Sequence, residues 1–87
     1  MIVISTRPFE KKAAKLDRKI KIALAERVEM FMDDSFHPLL DNHALQGDRK
    51  YQRSINITGD YRLVFEMLDS NTARLLDIDT HHNLYEK

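Results

Sequence analysis

Two short turn signals, Thr58-Gly59-Asp60 and Asp69-Ser70-Asn71, cut residues 51–79 into three stretches of strand-forming residues. So few residues cannot carry the chain across a sheet, so strands joined this way run antiparallel as neighbours. Residues 51–57 alternate, with Tyr51, Arg53, Ile55 and Ile57 on one face and Gln52, Ser54 and Asn56 on the other. Residues 61–68 form the next strand and residues 72–79 the last. A two-hairpin sheet of this kind needs cover for its apolar face.

The N-terminal half supplies that cover. Ile2-Val3-Ile4 is a short β-branched run that reads as a strand with both faces covered. A helix starts near Thr6, which can cap it, with Pro8 in the first turn where its missing N–H costs nothing. Phe9, Ala13, Leu16 and Ile20 recur at helical spacing. Asp17 can cap a second helix, which predicts a break near Leu16-Asp17; a single continuous helix is the alternative. Ile20, Leu24, Val28 and Phe31 line one face of the second helix, flanked by Met30 and Met32. Asp33-Asp34-Ser35 and His37-Pro38 end it, because a residue before proline avoids the helical region. Residues 35–50 then read as a loop. The expected order is β-α-α-β-β-β, a single α+β domain spanning residues 1–87, with two helices on a small, mainly antiparallel sheet.

Length and composition bound what this domain does. Eighty-seven residues support one core near the lower size limit. No cysteine is present, which excludes disulfides and thiolate metal sites and fits a reducing cytoplasm. No run approaches the roughly 18 apolar residues of a membrane span, and the N-terminal apolar run is too short for a signal peptide. A soluble, cytoplasmic protein without a membrane partner is the expectation. The net charge of zero hides a polarity: residues 1–27 carry eight Lys/Arg against three Asp/Glu, and residues 28–87 carry six against eleven. A nucleic-acid partner would therefore find its basic footprint on the helices, where Lys11, Lys12, Lys15, Arg18, Lys19 and Lys21 fall. A solvated helix face is the plainer reason for such a stripe.

The polar residues of the C-terminal half suit RNA cleavage. That reaction needs a base for the 2′-hydroxyl, an acid for the departing 5′-oxygen, and positive charge for the phosphorane oxygens; it requires no metal or other cofactor. Histidine suits the first two roles, because its pKa of about 6.5 lets both forms exist near neutrality. Arginine suits the third, because its planar fork holds two phosphate oxygens at once. His81 follows the apolar strand Leu75-Leu76-Asp77-Ile78; an exposed histidine in a frayed tail is its plainer reading, and His82 stands beside it. His43 lies in the loop before the sheet, where a hydrogen bond to backbone would explain it equally well. His37 reads as a loop residue beside Pro38. Asp60 and Arg62, two apart at a strand start, leave on one face and can pair with each other. Arg49, Lys50 and Arg53 cluster near His43 and can grip an RNA backbone. Tyr51, Tyr61 and Tyr85 can stack on bases, with core packing the stronger expectation for Tyr51 and Tyr61.

Taken in order, Asn42-His43-Ala44-Leu45-Gln46-Gly47, then Gly59-Asp60-Tyr61-Arg62-Leu63-Val64-Phe65, then Thr80-His81 with Leu84 and Tyr85, the chain resembles the RelE/ParE superfamily of bacterial toxins. The likeness is to its histidine-using messenger-RNA interferase branch and covers nearly the whole chain. It implies His43, Asp60, Arg62 and His81 as the catalytic set. Arg62 would bind the phosphate, and Asp60 would orient a histidine or act as a base. Arg49, Lys50, Arg53, Asn56 and Tyr85 would bind substrate. Asn56 departs from the pattern, since some relatives place a further histidine there, and a neutral balance departs from the family's usual basic one. The implied product is a 2′,3′-cyclic phosphate with a free 5′-hydroxyl, made from mRNA in the ribosomal decoding site. The implied partner is a cognate antitoxin, through which alone operator DNA would be bound. Two rivals within the superfamily are a ParE-like gyrase poison and a degenerate module that only binds antitoxin or acts as a corepressor.

Overall fold

The computed structural model describes residues 1–85. Five strands form one sheet in the order β1-β5-β4-β3-β2, where β1 is Ile2–Ser5, β2 His43–Ala44, β3 Arg53–Asn56, β4 Tyr61–Asp69 and β5 Thr72–Thr80. β1 runs parallel to β5, and every other pairing is antiparallel. Helices α1 (Arg7–Ala14) and α2 (Arg18–Asp33) follow β1, and a short helix α3 (His81–Tyr85) follows β5. Among the described residues no helix is long and apolar enough to cross a membrane.

Local chemistry sets the helix limits. The Thr6 hydroxyl accepts from the Phe9 amide and donates to the Leu75 carbonyl at 2.8 Å, so one side chain both caps α1 and ties it to β5. Asp17 caps α2 by accepting from the Ile20 amide at 3.0 Å, and this cap makes the predicted break real. The main core lies between the helices and the sheet. Phe9, Leu24 and Phe31 from the helices meet Ile55, Ile57, Leu63, Phe65, Ala73, Leu75 and Ile78 from the sheet. The Phe31 and Phe65 rings make an edge contact at 4.7 Å, a favourable arrangement beyond simple burial.

On the opposite face of the sheet a smaller cluster, Leu45, Val64 and Leu84, holds α3 and the loop after β2 against β4, with Leu76 and Tyr85 beside it. The tail is therefore a docked helix where the sequence suggested an open strand end. Its first turn forms because the Thr80 hydroxyl accepts from the Asn83 amide at 3.2 Å.

Three further expectations need correction. β1 is not covered on both faces: Ile2 and Ile4 are 56% and 43% exposed, because helices cover only the Val3 side of this edge strand. Tyr51 is not packed in the core; it is 77% exposed, since β3 begins only at Arg53 and Tyr51 lies in the preceding turn. Residues 35–50 are more ordered than a plain loop, holding the strand β2 and the 3-10 turns Pro38–Leu40 and Gly47–Arg49. Tyr61, by contrast, packs against the main core as expected.

Candidate active site

His43 enters the site from β2, and the chain before it is shaped to aim it. The Pro38–Leu40 turn is capped by His37, whose Nδ1 accepts from the Leu39 amide at 3.1 Å, giving that histidine a structural role. Asp41 then takes a left-handed conformation, φ 47° and ψ 51°, which aspartate tolerates better than most residues. Its carbonyl lies 2.7 Å from Nδ1 of His43. A carbonyl oxygen only accepts, so Nδ1 carries the proton and the neutral ring presents an unprotonated Nε2. That is the form a general base needs. The Asp41 carboxylate stands 3.8 Å from the same Nδ1.

His81 opens α3. Its amide donates to the Asp60 carbonyl at 2.8 Å, which ties the start of the helix to the β3–β4 hairpin. Its ring lies 4.6 Å from that of Tyr85, one helical turn on. Leu84 is buried beneath, and its carbonyl accepts from Arg49 Nη1 at 3.4 Å. These elements bound a cavity of about 340 Å³ lined by His43, Ala44, Leu45, Gln46, Arg49, His81 and Tyr85. Two histidines, an arginine and an aromatic ring, supplied by β2, the Gly47–Arg49 turn and α3, thus share one cleft. A larger hollow of about 600 Å³ lies elsewhere, lined by Met1, Glu26, Glu29, Met30, Met32 and Asp33. Its carboxylates would repel a phosphate backbone, so size does not decide in its favour.

The remaining candidates, Asp60, Arg62, Arg53, Lys50 and Asn56, are not among the residues that line the cleft. Arg62 does not bond to the Asp60 carboxylate. Its Nη1 donates instead to the carbonyls of Thr58, Gly59 and Tyr61 at 3.0–3.2 Å, closing the hairpin turn. All three bonds use Nη1, which leaves the rest of the guanidinium fork for another acceptor. Arg62 pairs across the sheet with Asn56 on β3 and Asp79 on β5. Asp60 contributes its main-chain carbonyl to His81, while its side chain is exposed. Arg53 is on the helix side of the sheet, where Nε donates to Asn42 at 2.8 Å and the guanidinium lies 5.5 Å from the Phe36 ring. Alternation along β3 puts it opposite Ser54 and Asn56, so the structure does not bring it to the cleft. Lys50 lies beside Tyr51, 5.2 Å from its ring, and is not a lining residue. The side-chain oxygens of Ser54, Asn56 (Oδ1) and Tyr85 are buried without a hydrogen-bond partner among the described residues.

Sequence reasoning missed Asp41 and a charged cluster behind α3. Lys12 Nζ lies 2.8 Å from Asp77 Oδ1 and 2.8 Å from Asp79 Oδ2, and Asp79 Oδ1 accepts from Asn83 Nδ2 at 2.9 Å. Burial by itself would raise the Asp79 pKa; hydrogen bonds from Lys12, Asn83 and the Thr80 amide, with the Lys12 charge, outweigh it and hold the value at about 2. An alternating Asp77-x-Asp79 at the end of a strand was the available signal.

No protein-family model and no curated protein sequence matches the chain. Solved structures match over nearly its whole length. The YoeB/ParE toxin from Agrobacterium tumefaciens superposes with a TM-score of 0.76 at 17% identity, covering 93% of this chain and 99% of that one. YafQ from E. coli gives 0.76 at 18%, covering 95% and 96%. The RelBE2 toxin–antitoxin complex from Mycobacterium tuberculosis gives 0.68 at 29%, covering 92% and 96%. The chain has the RelE/ParE-like fold. Its structural neighbours are toxins of toxin–antitoxin pairs.

Proposed function

We propose that this RelE/ParE-like chain is the toxin of a type II toxin–antitoxin pair and acts as an endoribonuclease on mRNA at the ribosome. The observation that carries this reading is the convergence of His43 and His81 on one cleft with Arg49, His43 having its Nδ1 bonded to a carbonyl. His43 Nε2 takes the proton from the 2′-hydroxyl as its oxygen attacks the adjacent phosphorus. His81, protonated, gives its proton to the 5′-oxygen as the P–O5′ bond breaks. Arg49, with the unused edge of Arg62, neutralises the non-bridging oxygens of the phosphorane. The products are a 2′,3′-cyclic phosphate and a free 5′-hydroxyl, and the second proton transfer restores neither histidine until solvent exchanges them. The Tyr85 ring, tilted 55° to that of His81 at 4.6 Å, offers a face for a base.

The toxin–antitoxin complex among the structural neighbours supports a cognate antitoxin as partner, one that covers this cleft and supplies any binding to operator DNA. A cytoplasmic site of action follows from a ribosomal substrate.

The test is expression without a partner, followed by mapping of message 5′-ends and single-turnover cleavage of a programmed ribosome. Cleaved messages are expected, with His81→Gln slower by about 10²–10⁴, because glutamine keeps hydrogen bonds but transfers no proton. A wild-type rate in folded His81→Gln would remove the acid from the mechanism. Growth arrest with intact messages and supercoiling defects would favour a gyrase poison, and no arrest would favour an antitoxin-binding module.

A further inference from the structure

We infer that Lys12, acting through Asp79 and Asn83, is a positioning residue that sets the placement of the His81 imidazole; the inference rests on the nuclease reading for its catalytic meaning. Of the basic residues on the first two helices, Lys12 differs from Lys11, Lys15, Arg18, Lys19 and Lys21 in being partly covered, where those five are exposed. Its ammonium bridges two carboxylates at the end of β5, with 2.8 Å to each. The two oxygens of Asp79 then divide their work. Oδ2 faces Lys12, while Oδ1 accepts from the Thr80 amide at 2.8 Å and from Asn83 Nδ2 at 2.9 Å. Lys12 thereby fixes the plane of a carboxylate whose other edge holds the first turn of α3. His81 opens that turn.

The electrostatics agree with the geometry. Burial opposes charge on Lys12, yet the hydrogen bonds and charges of Asp77 and Asp79 raise its pKa, and Asp79 is held at about 2. Without the ammonium, two carboxylates would stand two residues apart at one strand end and repel each other. Asp79 would then turn toward solvent and release Asn83. The burial of Leu84 would keep the tail docked, while the bonds of the first turn, from the Asn83 amide to Thr80 and from the His81 amide to Asp60, would open more often. The fold should survive, because α1 is independently held by Phe9 in the core and by the Thr6 bond to Leu75.

The experiment compares the full chain with Lys12→Met and Lys12→Arg by amide hydrogen exchange and by single-turnover RNA cleavage. Lys12→Met should speed exchange at the His81 and Asn83 amides about tenfold, with Leu63 and Phe65 unchanged within about twofold. Its kcat should fall about tenfold or more with KM within about twofold, as expected when a catalytic group is displaced while substrate still binds. Lys12→Arg keeps the charge and reach and should restore most of both. Unchanged exchange at His81 and Asn83, an equal acceleration in β4, a loss confined to KM, or no rescue by arginine would each overturn the inference. Absence of cleavage by the wild type counts against the nuclease reading alone, since the exchange pattern still decides whether Lys12 orders the turn that carries His81.

Discussion

Leu84→Ala should separate the two hydrophobic clusters of this protein. Leu84 is buried with Leu45 and Val64 on the cleft side of the sheet, apart from the main core on the helix side. The substitution removes three carbons, worth about 0.8 kcal/mol each, so α3 should lose about 2–3 kcal/mol of docking energy. At tenfold per 1.4 kcal/mol this raises the undocked population of α3 by about 30–150-fold. A five-residue helix can leave without unfolding the main core, so the global cost is capped by the docking energy itself. Phe65→Ala is the control: that ring packs on Phe31 in the main core, and its loss should cost about 3–5 kcal/mol out of a total of about 5–15. Amide exchange at His81 and Asn83, read beside thermal denaturation, makes the comparison. In Leu84→Ala, exchange should accelerate in α3 alone, the Tm should fall less than half as far as in Phe65→Ala, and RNA cleavage should be lost out of proportion to stability. Equal Tm losses with uniform exchange would show that the clusters unfold as one, and the reasoning would fail.

Three further outcomes are expected. Asp79 has a folded pKa of about 2, depressed from 3.8, so its contribution is fully present above about pH 4 and lost as pH falls toward 2; wild-type Tm should drop across that window, and Asp79→Asn should flatten the drop. Asp41→Gly should keep the left-handed turn and the carbonyl on His43, leaving cleavage near wild type, whereas Asp41→Val should strain that backbone by about 1 kcal/mol or more and slow cleavage, as rate and denaturation measurements would reveal. Tyr85→Phe should be neutral or slightly stabilising in urea denaturation, because it removes a buried hydroxyl with no partner among the described residues, while Tyr85→Ala should impair cleavage by taking away the ring beside His81.

Much of the fold was legible in the chain because its signals are local. Thr6 and Asp17 cap the helices that follow them, the two turn signals force adjacent antiparallel strands, and alternation through residues 51–57 assigns Ile55 and Ile57 to the core. The same alternation sends Arg53 away from the cleft, although its nearness to His43 in sequence suggested a shared site. Within the candidate site, His43, Arg49, His81 and Tyr85 were recognisable as residue types suited to the chemistry. What the sequence by itself determined was thus the elements, their caps and the chemical kinds available. Tertiary structure alone decided that β1 has an uncovered face, that the tail docks as a helix, that Arg62 closes its own hairpin, and that Lys12 is a partner of Asp79 rather than one more solvated lysine. The physical reason is range. Capping and alternation act within a few residues, whereas Lys12 and Asp79 meet across the sheet edge only after α1 has packed on β5, and no spacing in the chain encodes that contact.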